Sequence, residues 1–185
     1  MTYQDPADDR RPPQRQPPPS EWYADAGLRF ECTMCGDCCT GPPGVIAFTQ
    51  NEGERIAKRL GISYQDFLHR YTHDTPEGRS LNEVRTAHGH DCVFLDRTSP
   101  HARSLRDGRG GAVCSLYEDR PLQCRTFPWW PDNLRTPRDW ARTARACEGV
   151  NRGAFVPVEH IRIQRNQQSQ RERSGDNVPS SDPTP

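Results

Sequence analysis

Lysine is nearly missing from this 185-residue chain: Lys58 stands alone among 25 basic residues, and the other 24 are arginines. The 25 acidic residues bring the formal net charge to zero. No positive excess therefore marks a nucleic-acid surface. Arginine favours planar contacts with anions such as phosphate, but with acids in equal number the bias reads first as codon usage. Apolar residues are also scarce, at 32% with a mean hydropathy of −0.99, which leaves material for a small core only. No apolar run approaches the roughly 18 residues of a membrane span. The start, Met1-Thr2-Tyr3-Gln4-Asp5, runs into prolines without the apolar stretch of a secretory leader. These absences predict a cytoplasmic protein with neither membrane nor nucleic acid as partner. In that compartment structural disulfides are disfavoured. A glycine-rich phosphate loop, a Gly-x-Ser-x-Gly elbow and a His-Glu-x-x-His pair are all missing, so the common signatures of those enzyme classes are excluded.

What the chain has instead is cysteine. Cys32, Cys35, Cys38 and Cys39 fall within eight consecutive residues, and Cys92, Cys114, Cys124 and Cys147 follow at wide intervals. A cluster with scattered later partners is the pattern of a chain folded around a metal site.

The termini differ in composition from the middle. Residues 1–20 carry six prolines among Gln, Asp and Arg, and residues 161–185 are mostly Gln, Arg, Ser, Asp and Pro. Neither buries enough apolar surface to offset its ordering entropy, so both are predicted to be disordered tails. A single domain is expected over residues 21–160, with a core small enough to benefit from a staple. The expected fold class is α+β, an irregular metal-organised domain of short helices and a β-hairpin.

Within it, Thr49 and Glu52 form a capping-box pattern for a helix ending at Leu60 and Gly61. Ser63 and Asp66 repeat the signal, and Tyr64, Phe67, Leu68 and Tyr71 recur at helical spacing. Val45 to Phe48 reads as a short strand. Residues 74–91 are too polar to assign, although Leu81 and Val84 are candidates for core contact. Cys92 to Leu95 and Ala112 to Tyr117 read as an antiparallel hairpin around a long mobile loop, which would put Cys92 and Cys114 on neighbouring strands. Glu118 to Cys124 reads as a helical turn, and Phe127-Pro128-Trp129-Trp130-Pro131 as an aromatic lid. Thr136 and Pro137 start a last helix that carries Trp140, Ala141, Ala144 and Cys147 on one face.

Thiolates suit both zinc and iron–sulfur clusters. Cys-x2-Cys-x2-Cys lets one loop wrap a metal, with Gly36 relieving the backbone, and a distant cysteine completes such a set in bacterial ferredoxins. In an extended backbone Cys38 and Cys39 point apart, so either they serve two sites or one stays free. Eight thiols divide arithmetically into two sets of four, and one cluster with spare cysteines fits equally. Arg29, Arg120 and Arg125 flank cysteines and are candidate counter-charges. His69 and His73, and His88 and His90, have spacings that can bind metal, but the default is solvated histidine. A Cys-x2-Cys redox pair is the competing reading, weakened by six further cysteines.

The ordered set Phe30-x-Cys32-x2-Cys35-Gly36-x-Cys38-Cys39, Cys92-x-Phe94-Leu95, Cys114-x2-Tyr117-Glu118-x-Arg120-Pro121-x2-Cys124-Arg125-x-Phe127-Pro128 and Cys147-x-Gly149 resembles the YkgJ-type cysteine-cluster family, whose domain is described as zinc- or iron-chelating. The resemblance covers about residues 28–150. It implies that Cys32, Cys35, Cys38, Cys39, Cys92, Cys114, Cys124 and Cys147 are the metal ligands of an iron–sulfur cluster or zinc. Some relatives of this kind are named flagellin lysine N-methylases, so the resemblance also implies an alternative, a cluster-containing methyltransferase with a protein substrate. A redox partner is the corresponding expectation for a non-enzymatic centre. The Arg/Gly loop at 97–111 and Val93, where a proline is expected, depart from the pattern without removing a ligand. If the cysteines hold the small core together through metal, folding and binding are coupled. Treatment with a strong chelator is then expected to lower the Tm, and an unchanged melting curve after verified metal removal would refute that coupling.

Overall fold

The computed structural model describes residues 21–105 and 111–180. The proline-rich stretch 1–20, positions 106–110 of the Arg/Gly loop and residues 181–185 lie outside the described residues. The architecture is mixed α+β, and the described residues form four separate two-stranded sheets with no larger one.

A three-residue strand, β1 (Leu28–Phe30), leads into the cysteine loop. The loop is followed by α1 (Gln50–Leu60), whose start is closed by the expected capping box. Glu52 N donates to Thr49 Oγ1 at 3.3 Å, and Thr49 N donates to Glu52 Oε2 at 2.8 Å. Gly61, at φ 68°, ends the helix in the left-handed region that glycine alone enters without strain. Ser63 caps α2 (Tyr64–Tyr71) through Asp66 N at 3.0 Å.

The unassigned polar stretch folds as two hairpins, β2 (Thr72–Thr75) with β3 (Gly78–Leu81) and β4 (Glu83–Thr86) with β5 (Gly89–Cys92). Their strands carry too few apolar residues to show alternation, and their turns are set by Gly78 and Gly89 at positive φ. Leu81 is buried as expected, but Val84 is exposed. The expected hairpin between residues 92–95 and 112–117 shrinks to two pairs, Leu95 with Cys114 and Asp96 with Val113, in β6 (Leu95–Asp96) and β7 (Val113–Cys114). Cys92 pairs instead with Glu83 across the preceding hairpin. Between β6 and β7, Ser99 caps a short α3 (Pro100–Ser104) inside what was expected to be loop. The strand expected at Val45 to Phe48 makes one bridge, Ala47 to Ser80. Two more of its backbone groups are met by a side chain: Gln123 accepts from Ala47 N at 3.0 Å and donates to Val45 O at 2.9 Å.

After a 3-10 turn at Tyr117–Asp119 come α4 (Leu122–Thr126), α5 (Pro131–Leu134) and α6 (Pro137–Ala146), the last capped by Thr136 as its sequence predicts. Then β8 (Val150–Val156) returns to pair with β1, and α7 (Val158–Ser174) follows. None of the helices among the described residues is long and apolar enough to cross a membrane.

Two small cores result. One gathers Tyr23, Leu28, Trp129, Trp140, Val150 and Ile161, with Trp129 and Trp140 stacked 5.5 Å apart. The other gathers Phe48, Ile56, Phe67, Leu81, Phe94 and Leu116. Cysteines belong to both: Cys147 to the first, Cys92 to the second, with Cys39 and Cys114 packed against it.

The polar tail expected from residue 161 is a correction. Residues 158–174 form a helix with Ile161, Gln168 and Arg171 buried. Beyond it Val178 hydrogen-bonds to Phe48 O at 3.0 Å and accepts from Arg79 N at 2.8 Å. Composition argues against burial of apolar area, but this segment is held through polar partners already in place. Arg162 and Arg165 pair with Glu21, and Arg171 with Glu52. Glu52 also accepts from Leu122 N at 2.7 Å and lies 3.5 Å from Arg125. Its carboxylate thus joins α1, α4 and α7. Glu52→Ala is expected to lower unfolding free energy by about 3–5 kcal/mol, because it strands buried Arg171 without its anion. Urea denaturation reads this, and a loss within the scatter of surface substitutions would refute the role of the joint.

Candidate metal centre

The cysteine loop is shaped by two residues in the left-handed region, Met34 at φ 56° and Gly36 at φ 82°. A Cβ on Gly36 would lie 2.5 Å from the Cβ of Ala112, so the position needs glycine for space as well as for φ. Ala112 N donates to Met34 O at 2.8 Å, and Arg97 donates to Cys35 O at 3.3 Å while pairing with buried Asp91 at 3.0 Å. Gly36 opens a 3-10 turn over Asp37–Cys39, closed by Cys39 N to Gly36 O at 2.9 Å.

That turn overturns the expected divergence of Cys38 and Cys39. Neighbouring side chains in a 3-10 turn are about 120° apart, not on opposite faces. The two sulfurs lie 3.6 Å from each other, and both face the same cavity. The doublet therefore lines one cavity.

Six of the eight cysteines line that cavity, which measures about 90 Å³. Cys32, Cys38 and Cys39 come from the loop, Cys92 from the end of β5, Cys114 from β7 and Cys124 from α4. Leu81, Phe94, Leu116, Phe127 and Trp130 supply apolar wall. The remaining two, Cys35 and Cys147, hydrogen-bond to each other beside the tryptophan core. Cys38 sits near the other thiols: ionising it would oppose ionisation of Cys32, Cys92, Cys114, Cys124 and Cys147. All eight are free thiols. Among the described residues no three His, Cys, Asp or Glu side chains are grouped closely enough to hold one metal ion. The sulfurs ring a space rather than converge on a point.

Crowding and burial keep most of these thiols protonated. Burial lifts Cys92 to about 12 and raises Cys32, Cys114 and Cys124 above the usual thiol range. Hydrogen bonding to Cys39, then burial, raises Cys38, and the bond to Cys35 raises Cys147. Cys35 moves the other way, to about 6, because the Cys147 thiol donates to its thiolate. Several thiolates in one apolar space need positive charge, and a metal ion supplies it by displacing the protons. The donor set fits zinc or an iron–sulfur centre.

One of the three candidate arginines is at the site. Arg120 lines the cavity, stacks 3.6 Å over the Tyr117 ring and donates to Tyr117 O at 2.8 Å. Its charge reaches Cys32, Cys38, Cys114 and Cys124. Arg125 turns away to Glu52, and Arg29 lies over Phe155. None of the six histidines lines the cavity, and His73 bonds to Asn82 at 3.1 Å. Of the aromatic lid, Trp130 and Phe127 form cavity wall while Trp129 belongs to the first core. Gln123, which ties α4 to the Val45 segment, lies inside the Arg-Pro-x2-Cys motif at a position whose role spacing does not reveal.

A thiol-lined cavity with no disulfide and no histidine in its lining has the donor chemistry expected of a cysteine-cluster metal-chelating domain. A family model for the CxxCxxCC domain, described as "Putative zinc- or iron-chelating domain", matches residues 31–148. The chain belongs to this CxxCxxCC family. The solved structures offer no match to it. In metal-free protein, Cys35 is expected to be the first thiol alkylated at neutral pH, with a rate that rises as pH increases through about 6. Peptide mapping after limiting iodoacetamide checks this, and preferential labelling of Cys92 or Cys124 would contradict it.

Proposed function

We propose that the cavity holds a polynuclear iron–sulfur centre and that the chain serves as an electron carrier for a protein partner. The observation that carries the reading is the ring of six thiols around a space of about 90 Å³, several times what one water-sized body needs. A single four-coordinate zinc ion would use four ligands drawn to one point. A cluster with several iron atoms uses sulfurs distributed around a volume.

In this reading Cys32, Cys38, Cys39, Cys92, Cys114 and Cys124 are the cavity-side ligand set. Cys35 and Cys147 form an adjoining pair that completes the eight. Arg120 balances part of the negative charge, and hydrogen bonds and charge near the sulfurs tune the potential. Phe94, Leu116, Phe127 and Trp130 keep water from most of the centre. Cys32 and Cys38 belong to exposed residues, so electrons have a short route to a docked partner on that side.

Anaerobic purification followed by iron, acid-labile sulfide and zinc analysis tests the proposal. The expected result is iron with matching sulfide and a visible absorption that bleaches on reduction. Stoichiometric zinc without sulfide would replace the cluster with a zinc centre. Absence of both metals, with eight titratable thiols in the denatured protein, would overturn the reading.

A further inference from the structure

Arg171 stands behind the cysteine wall. It comes from α7, outside the residues 31–148 that match the family, and its side chain is only 6% exposed. Nε donates to Asn177 Oδ1 at 3.2 Å, and Nη1 lies 3.1 Å from Glu52 Oε2 as an ion pair. Nη2 has no hydrogen-bond partner among the described residues, and Nη1 has only the Glu52 carboxylate. A buried guanidinium left this way is costly unless nearby negative charge compensates it.

The helix that Arg171 faces is the one that carries Cys124. Glu52, the ion-pair partner of Arg171, accepts from Leu122 N at the head of α4, and Thr126 Oγ1 at its end lies 3.3 Å from Gln168 Oε1 on α7. The turn bearing Cys124 is thus gripped at both ends by α7 or its partner. Glu52 is shared between two guanidinium groups, buried Arg171 and the more exposed Arg125, so it does not neutralise Arg171 alone. Arg171 is near enough to Cys124 to feel a negative charge there.

We infer that Arg171 is the positioning residue for Cys124: it fixes the α4 turn and supplies the counter-charge for a metal-bound Cys124 thiolate. The inference rests on the proposed metal centre. It goes beyond the family match, because the residue lies outside the matched segment.

The test is the midpoint reduction potential of the reconstituted iron–sulfur protein in R171M, R171K and E52Q. Loss of the cation in R171M is expected to shift the potential downward, and R171K to restore most of it. E52Q removes the neighbouring anion and keeps the cation, so its potential is expected to rise. Both R171M and E52Q break the same ion pair, so a merely structural role would move the two in the same direction. That result, or an R171M potential equal to wild type, overturns the inference while leaving the cluster reading intact. If the wild type holds zinc alone, the cluster reading fails on its own. The same variants are then read by chelator competition for Zn²⁺. Weakening of about ten- to a hundredfold in R171M, recovery in R171K and tightening in E52Q are expected. Equal loss in R171M and E52Q refutes the role, and a wild type that binds neither metal removes it altogether.

Discussion

One buried carboxylate holds the framework in register. Glu52 closes the first turn of α1, accepts the leading amide of α4 and pairs with Arg171 of α7. A carboxylate that is 5% exposed is costly to bury, and here its contacts come from three separate parts of the chain. α1 follows the cysteine loop, α4 carries Cys124, and α7 is the last helix. Beyond that joint the helix bearing Cys124 is tied by the Gln123 and Thr126 side chains and by the Trp130 indole on Gln123 O.

The cavity depends on the same economy of small devices. No sheet exceeds two strands among the described residues, so no extended ladder fixes where the cysteines go. Short-range constraints do it instead: Gly36 and Met34 bend the loop, the 3-10 turn aims Cys38 and Cys39 together, and the β6–β7 pairs present Cys114. Each is worth little alone. The two apolar cores on either side are too small to dominate, and cysteines are part of both. A metal bound by these cysteines would therefore act on the fold as much as on the site, since Cys92 and Cys147 are also core residues.

Local signals in the sequence are strong where structure is made locally. The Thr49–Glu52 capping box, the Ser63 cap, Gly61 and the Thr136–Pro137 start are all found where their chemistry puts them, because a cap needs only three or four successive residues. The two hairpins at 72–92 were not readable. Their strands are polar, and they are positioned by Asn82, Ser80 and the path of Gly41 to Ile46 rather than by alternation. The last helix lacks a local signal for a related reason. Gln168 and Arg171 look like solvent residues until Thr126 and Glu52 are known to face them.

The cysteine spacing by itself determined the chemical class of this protein: thiols in a Cys-x2-Cys-x2-Cys-Cys run with later partners are a chelating set, and no folding is needed to see it. Tertiary structure decided how the eight are shared. It put six around one cavity, paired Cys35 with Cys147, and made Cys38 and Cys39 neighbours in the cavity wall. It also chose Arg120 over Arg29 and Arg125 as the cation at the cavity. Spacing fixes which residues are present along the chain. Which thiols meet depends on the turn at Gly36 and on contacts between segments about a hundred residues apart, and those exist only in the folded molecule.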